Sequence, residues 1–597
     1  MASVPSRNAP CPCGSGKKYK RCCGAPATGV PPPRYPNAAA SQSANAGSEL
    51  LAAAFRHHQS GQLDAAKNLY RKILKLAPSH PDAWHLMALI AHARGENARA
   101  VECAEQALAS KPRFAEAKNT LGVALRALGR VTSAIRVFEE AAKINPAYAE
   151  AWYNAGNALQ MLGLPTQAAE RYKKALALAP TLRDARTNLL LVLNYSPDFP
   201  RAEIFVAYRE FAPPAQTAMP HPNTRDPCRR LKIGYVSPDF RQHPVAYFFE
   251  PVLRCHDRSR FEVYCYDCHG PGDKVTRRIR AKAEHWRDIA SAADAAAVKL
   301  IQADRIDILV DLAHHTRGNR LEIFAGKPAP IQVTWLGMPQ TTGLGAMDYR
   351  ITDDLVDPVG LTESIHTEEL LRLPNGALAF DPDPAWPPVN ALPAASNRYV
   401  TFASLNNLAK VNPAVIAVWA RILRAVAGAK LLVAASGDQD DELSAAVRVR
   451  FAYHGVAGER IEFAGRRSLA DFLRLHQQVD VALDPFPCSG VTTTLHSLWM
   501  GVPVITLAGD TPNSRAGVSI LGRLGLAELV AQSQDQYTAI AARLAQDLDR
   551  LAALRRSLRG RLAASIFTDP ETVTKDLESA YRRIWKNWCA AATPSDC

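Results

Sequence analysis

From residue 48 onward, small, apolar and polar positions return with a fixed step. Prolines stand at 78, 112, 146 and 180, glycines at 61, 95, 129 and 163, and alanines at 66, 100, 134 and 168, each set spaced by 34 residues. Tyr70, Phe138 and Tyr172 share that phase, and the small residues Ala107, Ala141 and Ala175 recur with them. Small side chains let paired helices approach closely, glycine tolerates the turn between them, and proline stops the second helix. The pattern predicts four helix–turn–helix units over residues 47 to 182. The stretch "RDARTNLLLVLNY" follows as a further helix that hides the apolar end of the stack.

A 34-residue step is the tetratricopeptide period, which assigns residues 47–195 to an α-solenoid. Such an array is expected to hold extended polypeptide in its concave face; a spacer or dimerisation arm is the alternative. A connector over 196–228 leads to a different pattern. "RLKIGYVSPDF", "FEVYCYDC", "IDILVDLA" and "PIQVTWLG" are short apolar runs, and helix-compatible stretches such as "VTRRIRAKAEHWRDI" and "AADAAAVKLIQAD" lie between them. A second alternation runs through "RYVTFASL", "AKLLVAAS", "RIEFAG", "DVALDPF" and "PVITLAG", with "NPAVIAVWARILRAV" as one of its helices. Alternating strands and helices predict parallel sheets covered on both faces. The expectation is α plus α/β: two Rossmann-like lobes, 229–385 and 398–590, joined by a proline-loaded segment at 386–397, with a ligand cleft at the carboxyl ends of the strands.

One stretch carries candidate chemistry. In "DPFPCSGVTTTLHSLWMGVPV" a strand ends in a Pro/Gly turn, and three threonines open an apolar helix. A helix N-terminus offers unpaired N–H groups and a positive dipole end, and threonine hydroxyls add donors, so Thr492, Thr493 and Thr494 are candidates to grip phosphate. Gly490 would permit close approach. A plain threonine N-cap is the alternative. The chain has no GxxxxGK[ST] loop, which disfavours a P-loop ATPase.

The net charge of +14 would suit an acidic partner, but the basic residues are scattered rather than striped, so nucleic acid is not the expected ligand. There is no apolar run long enough to span a membrane, and "MASVPSRNAPCPC" lacks the apolar centre of a secretory signal; a cytoplasmic protein is expected. Four of the 12 cysteines crowd into "CPCGSGKKYKRCCG". Cys11, Cys13, Cys22 and Cys23 can surround one structural Zn2+ tetrahedrally, with metal binding supplying stability that so small a module cannot get from a core. A basic cysteine-rich tail without metal is the alternative. The segment (residues 1–24) resembles the SEC-C motif, an accessory docking module, and residues 25–46 read as a flexible tether.

The two lobes also resemble a known family. "IGYVSPDFRQHPVAYFFEPVL", "DILVDLAHHTRGNRLEIFAGKPAPIQVTWLGMPQTTGLGAMDYRITD", "FASLNNLAKVNP" and the threonine stretch are similar to glycosyltransferase family 41, the O-linked N-acetylglucosamine transferases and SPINDLY proteins. The resemblance implies a GT-B fold and inverting transfer of a sugar from a nucleotide sugar to protein Ser or Thr, without a catalytic metal. UDP-GlcNAc is the first expected donor and GDP-fucose, or another hexose donor, the rival. It implies that His243 lies beside the sugar as base or orienter, that Lys410 meets the diphosphate, and that Asn407, Thr492 and Thr493 contact the nucleotide. His315, Thr316 and the loop from Gly337 to Gly343, with Pro339 and Thr342, would lie on the sugar or acceptor side. His496 stands where the family commonly carries an acidic residue for the ribose. Polypeptide substrates, a docking partner for the SEC-C segment and a homo-oligomer are the partners such a chain would have. A repeat scaffold whose lobes have lost turnover is the competing class. A zinc hydrolase is excluded, because four protein ligands would close the metal site.

Overall fold

The computed structural model describes residues 42–215, 220–435 and 441–591, with side chains from Glu49 onward. Cys11, Cys13, Cys22 and Cys23 therefore lie outside the described residues. Helix Gln42–Gln59 already begins inside the stretch read as a tether.

The repeats form antiparallel helix pairs: Gln42–Gln59 with Leu63–Leu76, Pro81–Ala93 with Asn97–Ser110, Ala115–Ala127 with Val131–Ile144, and Ala149–Met161 with Pro165–Leu178. The periodic residues explain the packing. Gly61, Gly95, Gly129 and Gly163 all take positive φ at the turns, where a side chain would be strained. Inside the helices, Gly122 faces Phe138 and Gly156 faces Tyr172, so the same small-against-aromatic contact recurs one repeat later. A Cβ at Gly156 would lie 2.6 Å from the Tyr172 ring, and one at Gly122 2.5 Å from Phe138. Helix Arg183–Leu193 closes the stack as expected, burying Leu189, Leu190 and Val192.

Beyond the helix Arg201–Phe211, seven parallel strands form the first sheet: β1 (Leu231–Ser237), β2 (Phe261–Asp267), β3 (His285–Asp288), β4 (Ile308–Asp311), β5 (Ile331–Thr334), β6 (Tyr349–Thr352) and β7 (Glu369–Arg372). Their order is β3-β2-β1-β4-β5-β6-β7. The register aligns Leu231 with Phe261 and Ile233 with Ile308. The second sheet holds β8 (Thr401–Ser404), β9 (Lys430–Ala434), β10 (Ile461–Ala464), β11 (Val481–Leu483), β12 (Val504–Leu507) and β13 (Val530–Ala531), in the order β10-β9-β8-β11-β12-β13. In both sheets the order reverses beside the first strand, which opens a crevice at the carboxyl ends. The stretch "VTRRIRAKAEHWRDI" is not one helix: the helix stops at Lys282 and residues 285–288 pair with β2.

The three units share cores. The apolar cluster of the first repeats runs on through Ala155 and Leu162 into Leu408, Val411 and the second sheet. The Glu442 carboxylate covers the N-terminus of the repeat helix Val131–Ile144, accepting from Ser133 N at 2.9 Å, Ser133 Oγ at 2.8 Å and Thr132 Oγ1 at 2.6 Å. The last helix, Pro570–Ala590, crosses back and buries Leu577, Tyr581 and Trp585 against the first sheet, although the sequence reading gave residues up to 590 to the second lobe. Among the described residues, no helix is long and apolar enough to cross a membrane.

The Gly156–Tyr172 contact has a measurable consequence. Gly156→Ala adds helix propensity of about 1 kcal/mol but overpacks the crossing by about 1–3 kcal/mol, so the net effect is destabilising. Thermal denaturation is expected to show a lower midpoint; a raised one would mean that the two helices of the repeat are not in close contact there.

Candidate active site

The threonine turn is built around a buried carboxylate. Asp484 follows β11, is 1% exposed, and accepts from Gly490 N at 2.7 Å and Thr506 Oγ1 at 2.9 Å. Burial raises its pKa to about 6, against the Gly490 N–H and the Lys410 ammonium, which pull it down. Asn406 lies beside it and accepts from Thr493 Oγ1 at 2.9 Å. Gly490 is required by space rather than by φ: a Cβ there would collide with the Thr493 hydroxyl and sit 2.9 Å from Asn406 Oδ1.

Helix Thr492–Trp499 starts at this turn. Val491 occupies its N-cap and no side chain caps it, so the threonines are not N-caps, and the N–H groups of the first turn are left without a side-chain acceptor among the described residues. The three hydroxyls divide. Thr494 donates back to Gly490 O at 3.1 Å, and Thr493 is held by Asn406. Thr492 has no hydrogen-bond partner among the described residues and lines the interlobe cavity. Lys410, on the short turn Leu408–Lys410 after β8, donates from Nζ to Ser489 O at 2.9 Å, so its ammonium lies against the same turn. Asn407 is exposed, and its amide oxygen is engaged by Ala409 N at 3.0 Å.

Facing Val491 and Thr492 across a cavity of about 160 Å³ are Pro244 and Val245 of helix Pro244–Cys255, together with Gly337 and Pro339. Gly337, at φ +61, passes so close to Ala313 and His314 that a Cβ would not fit. The other expected acceptor-side residues turn inward. The Thr342 hydroxyl and N–H are held by the buried Glu368, His315 Nε2 meets Thr342 O at 2.7 Å, and Thr316 Oγ1 donates to Ala313 O at 2.6 Å. His315 reaches a different cavity of about 200 Å³, between the first lobe and the repeat helix Arg183–Leu193.

His243 is the N-cap of its helix. Its Nδ1 accepts from Val245 N at 3.3 Å, which puts the proton of the neutral ring on Nε2. Asp239 Oδ1 stands 3.5 Å from the same nitrogen, the limit of a hydrogen bond, and is shared with Arg241 at 3.5 Å; the Val245 contact therefore sets the tautomer. Burial, and then Arg241, lower the His243 pKa to about 4. The ring lines a cavity of about 350 Å³ with Tyr247, Trp386 and Leu469. His496 sits behind that wall, 4% exposed, with ring centroids 5.2 Å from Trp386, 5.7 Å from Tyr247, 5.9 Å from Phe472 and 6.0 Å from Phe380. Its Nε2 has no hydrogen-bond partner among the described residues, and burial followed by His476 lowers its pKa to about 3. The structure thus gathers Lys410, Gly490 and the threonines at one turn and sets His496 apart in an aromatic box. The sequence reading missed Asn406, Asp484 and Ser489, although all three lie inside or beside the motifs it quoted.

Two parallel Rossmann-like sheets meeting across a cleft, with an uncapped helix N-terminus on one side of it, are the GT-B class of architecture. The sequence comparisons agree: the glycosyl transferase family 41 model matches residues 215–382 and 391–577, and the chain belongs to that family. A SEC-C motif matches residues 7–25, and tetratricopeptide repeats match 57–123, 122–163 and 149–182. The SPINDLY protein of Oryza sativa subsp. japonica, described as a probable UDP-N-acetylglucosamine–peptide N-acetylglucosaminyltransferase, is 41% identical over 424 residues, 69% of this chain and 45% of its own. The SEC protein of Arabidopsis thaliana, described in the same terms, is 34% identical over 381 residues, covering 61% of this chain and 38% of its own. The chain thus spans less than half the length of these relatives. The solved structure of a mutant Thermobaculum terrenum O-GlcNAc transferase superposes with TM-score 0.77 at 35% identity, covering 93% of this chain and all of that one.

A ring held at about 4 stays neutral from the ordinary histidine value of 6.5 upward. The sign follows: protonation of this ring opposes the folded state, so its own contribution to stability is constant above pH 6.5 and falls as pH drops from there toward 4. Nuclear magnetic resonance titration of His243 is expected to show its midpoint near 4; a midpoint at 6.5 would show a solvated ring without the Val245 contact.

Proposed function

We propose that this chain transfers a sugar from a nucleotide sugar to Ser or Thr hydroxyls of polypeptides, with UDP-GlcNAc as the first donor. The observation that carries the reading is that Lys410 Nζ grips the Ser489 carbonyl in the turn leading into the uncapped helix Thr492–Trp499, whose Thr492 lines the interlobe cavity. A leaving diphosphate gains negative charge as its bond to the anomeric carbon breaks, and fixed positive groups at that point lower the barrier. The Thr492 hydroxyl and the first-turn N–H groups would take phosphate oxygens, and Lys410 the growing charge. His243, with its proton on Nε2, orients the sugar or the acceptor hydroxyl as a donor rather than withdrawing a proton from it. The hydroxyl attacks the face opposite the diphosphate, which inverts the centre, and one proton is released per transfer. The tetratricopeptide array, with the peptide transferase names of the relatives, supports polypeptide as the acceptor. We further propose that residues 229–385, with the returning helix Pro570–Ala590, and residues 398–569 act as acceptor-side and nucleotide-side lobes in the cytoplasm, and that Cys11, Cys13, Cys22 and Cys23 hold a structural Zn2+ in a docking module.

The test is a donor panel containing UDP-GlcNAc and GDP-fucose, incubated with lysate protein and read by intact-mass and peptide mass spectrometry. Lys410→Ala is expected to lower the rate by about 10²–10³. Among the threonines, Thr492→Val should weaken nucleoside diphosphate binding in calorimetry, whereas Thr494→Val should shift the melting midpoint and leave that binding nearly unchanged. No transfer and no binding of either nucleotide at millimolar concentration would leave a scaffold.

A further inference from the structure

The last repeat helix ends at Asn194, which is 3% exposed and uses every hydrogen-bonding position of its amide. Nδ2 donates to Leu190 O at 2.8 Å and to Tyr208 OH at 3.0 Å. Oδ1 accepts from Gln340 Nε2 of the first lobe at 2.9 Å and from Asn513 Nδ2 of the second at 2.7 Å. The amide therefore touches all three units. From Asn513 the contacts continue inward: its carbonyl accepts from Ser489 N at 3.0 Å and Ser489 Oγ at 2.9 Å, and the Ser489 carbonyl accepts from Lys410 Nζ. Two neighbouring contacts reach the other flank of the Lys410 turn. Asn412 Nδ2 donates to Tyr195 O at 2.9 Å and to Phe486 O at 2.6 Å. The Gly163 turn of the fourth repeat packs so tightly on Val411 O and Leu408 O that no Cβ would fit.

We infer that Asn194 is a positioning residue: through Asn513 and Ser489 it lets the repeat array set where the Lys410 ammonium stands. The inference rests on the proposed role of Lys410 in meeting a diphosphate. On this basis the array does more than present the acceptor, because its end also shapes the donor site. A buried amide with all four positions satisfied is costly to alter, and an unpaired Oδ1 or Nδ2 would be left behind by change at either side. The relay runs through a side chain at Asn194 and Asn513 and through backbone at Ser489, so Asn513→Ala cuts the tether while keeping the carbonyl that holds Ser489.

The experiment uses full-length protein with Asn513→Ala, Asn194→Ala, the double variant and Gln340→Ala. The first readout is calorimetric affinity for UDP and GDP; the second is hydrogen exchange of residues 407–411 without nucleotide; the third is the melting midpoint. Asn513→Ala is expected to weaken the bound diphosphate by about tenfold, the loss of one net hydrogen bond. It should also speed exchange at the turn. The double variant should be no weaker than either single one, because both cut the same tether. Gln340→Ala severs only the first-lobe arm and should leave affinity within about twofold. If Asn194→Ala does not fold, Asn513→Ala carries the test alone. Unchanged affinity and unchanged exchange beside a lowered melting midpoint would overturn the inference, as would additive losses in the double variant. If the wild type binds neither nucleotide, the diphosphate reading fails, and exchange at residues 407–411 still decides whether Asn194 positions the turn.

Discussion

The candidate site depends on a lack of room at Gly490. Asp484, Asn406 and the Thr493 hydroxyl converge there within hydrogen-bonding distance, and only a residue without a Cβ lets the chain pass between them. That closeness fixes the start of the threonine helix. With Val491 at the N-cap, no side chain shields the first-turn N–H groups, and Thr492 alone of the three threonines keeps its hydroxyl unengaged among the described residues. A larger residue at position 490 would push the turn off Asp484 and with it the Ser489 carbonyl that Lys410 grips. The exposure of the first-turn N–H groups and the backbone geometry of the turn are therefore one constraint.

Charge is arranged around that constraint by burial. His243 is held neutral by desolvation and a nearby Arg241, and His496 by its aromatic box, so neither adds a cation at neutral pH. Asp484 is the counterweight to Lys410, yet burial holds its carboxyl at about 6, so the local field becomes more positive as pH falls through that value. A diphosphate arriving beside it would favour the protonated form still further. The site's charge is set by what is desolvated rather than by the net charge of +14.

Much of the fold was legible in the sequence because the physics was local or periodic. The 34-residue step reflects the Gly–aromatic contact at Gly122 and Phe138 and its repetition at Gly156 and Tyr172. Strands such as β1 read as continuous apolar runs because both faces are covered. Strand β3 was hidden: "HWRD" is polar, half-exposed and four residues long, and it follows a helix whose pattern it continues. The two-residue β13 leaves almost no pattern. At the site, the motif located the threonine helix but could not rank its hydroxyls, since that ranking depends on Asn406, which is 87 residues from Thr493.

The same limit explains why Asn194 is invisible in sequence. Its partners Gln340 and Asn513 lie 146 and 319 residues away, and an asparagine at the end of a helix is ordinarily just a C-terminal residue exposed to water. Burial changes its meaning. Inside the junction, each donor and acceptor of the amide needs a partner, and the fold supplies one from every unit. The continuous apolar core beneath Leu162, Leu408 and Val411 makes the array and the second lobe one packed body, while the Asn194 amide fixes their register at a point linked to Lys410 through Asn513 and Ser489. Apolar contact brings these units together without direction; the hydrogen bonds choose one orientation among those that contact would allow. A solenoid joined in this way is tied to the turn that carries Ser489 and Lys410, and on the proposed function its sequence would be constrained by the donor side as well as by whatever it carries.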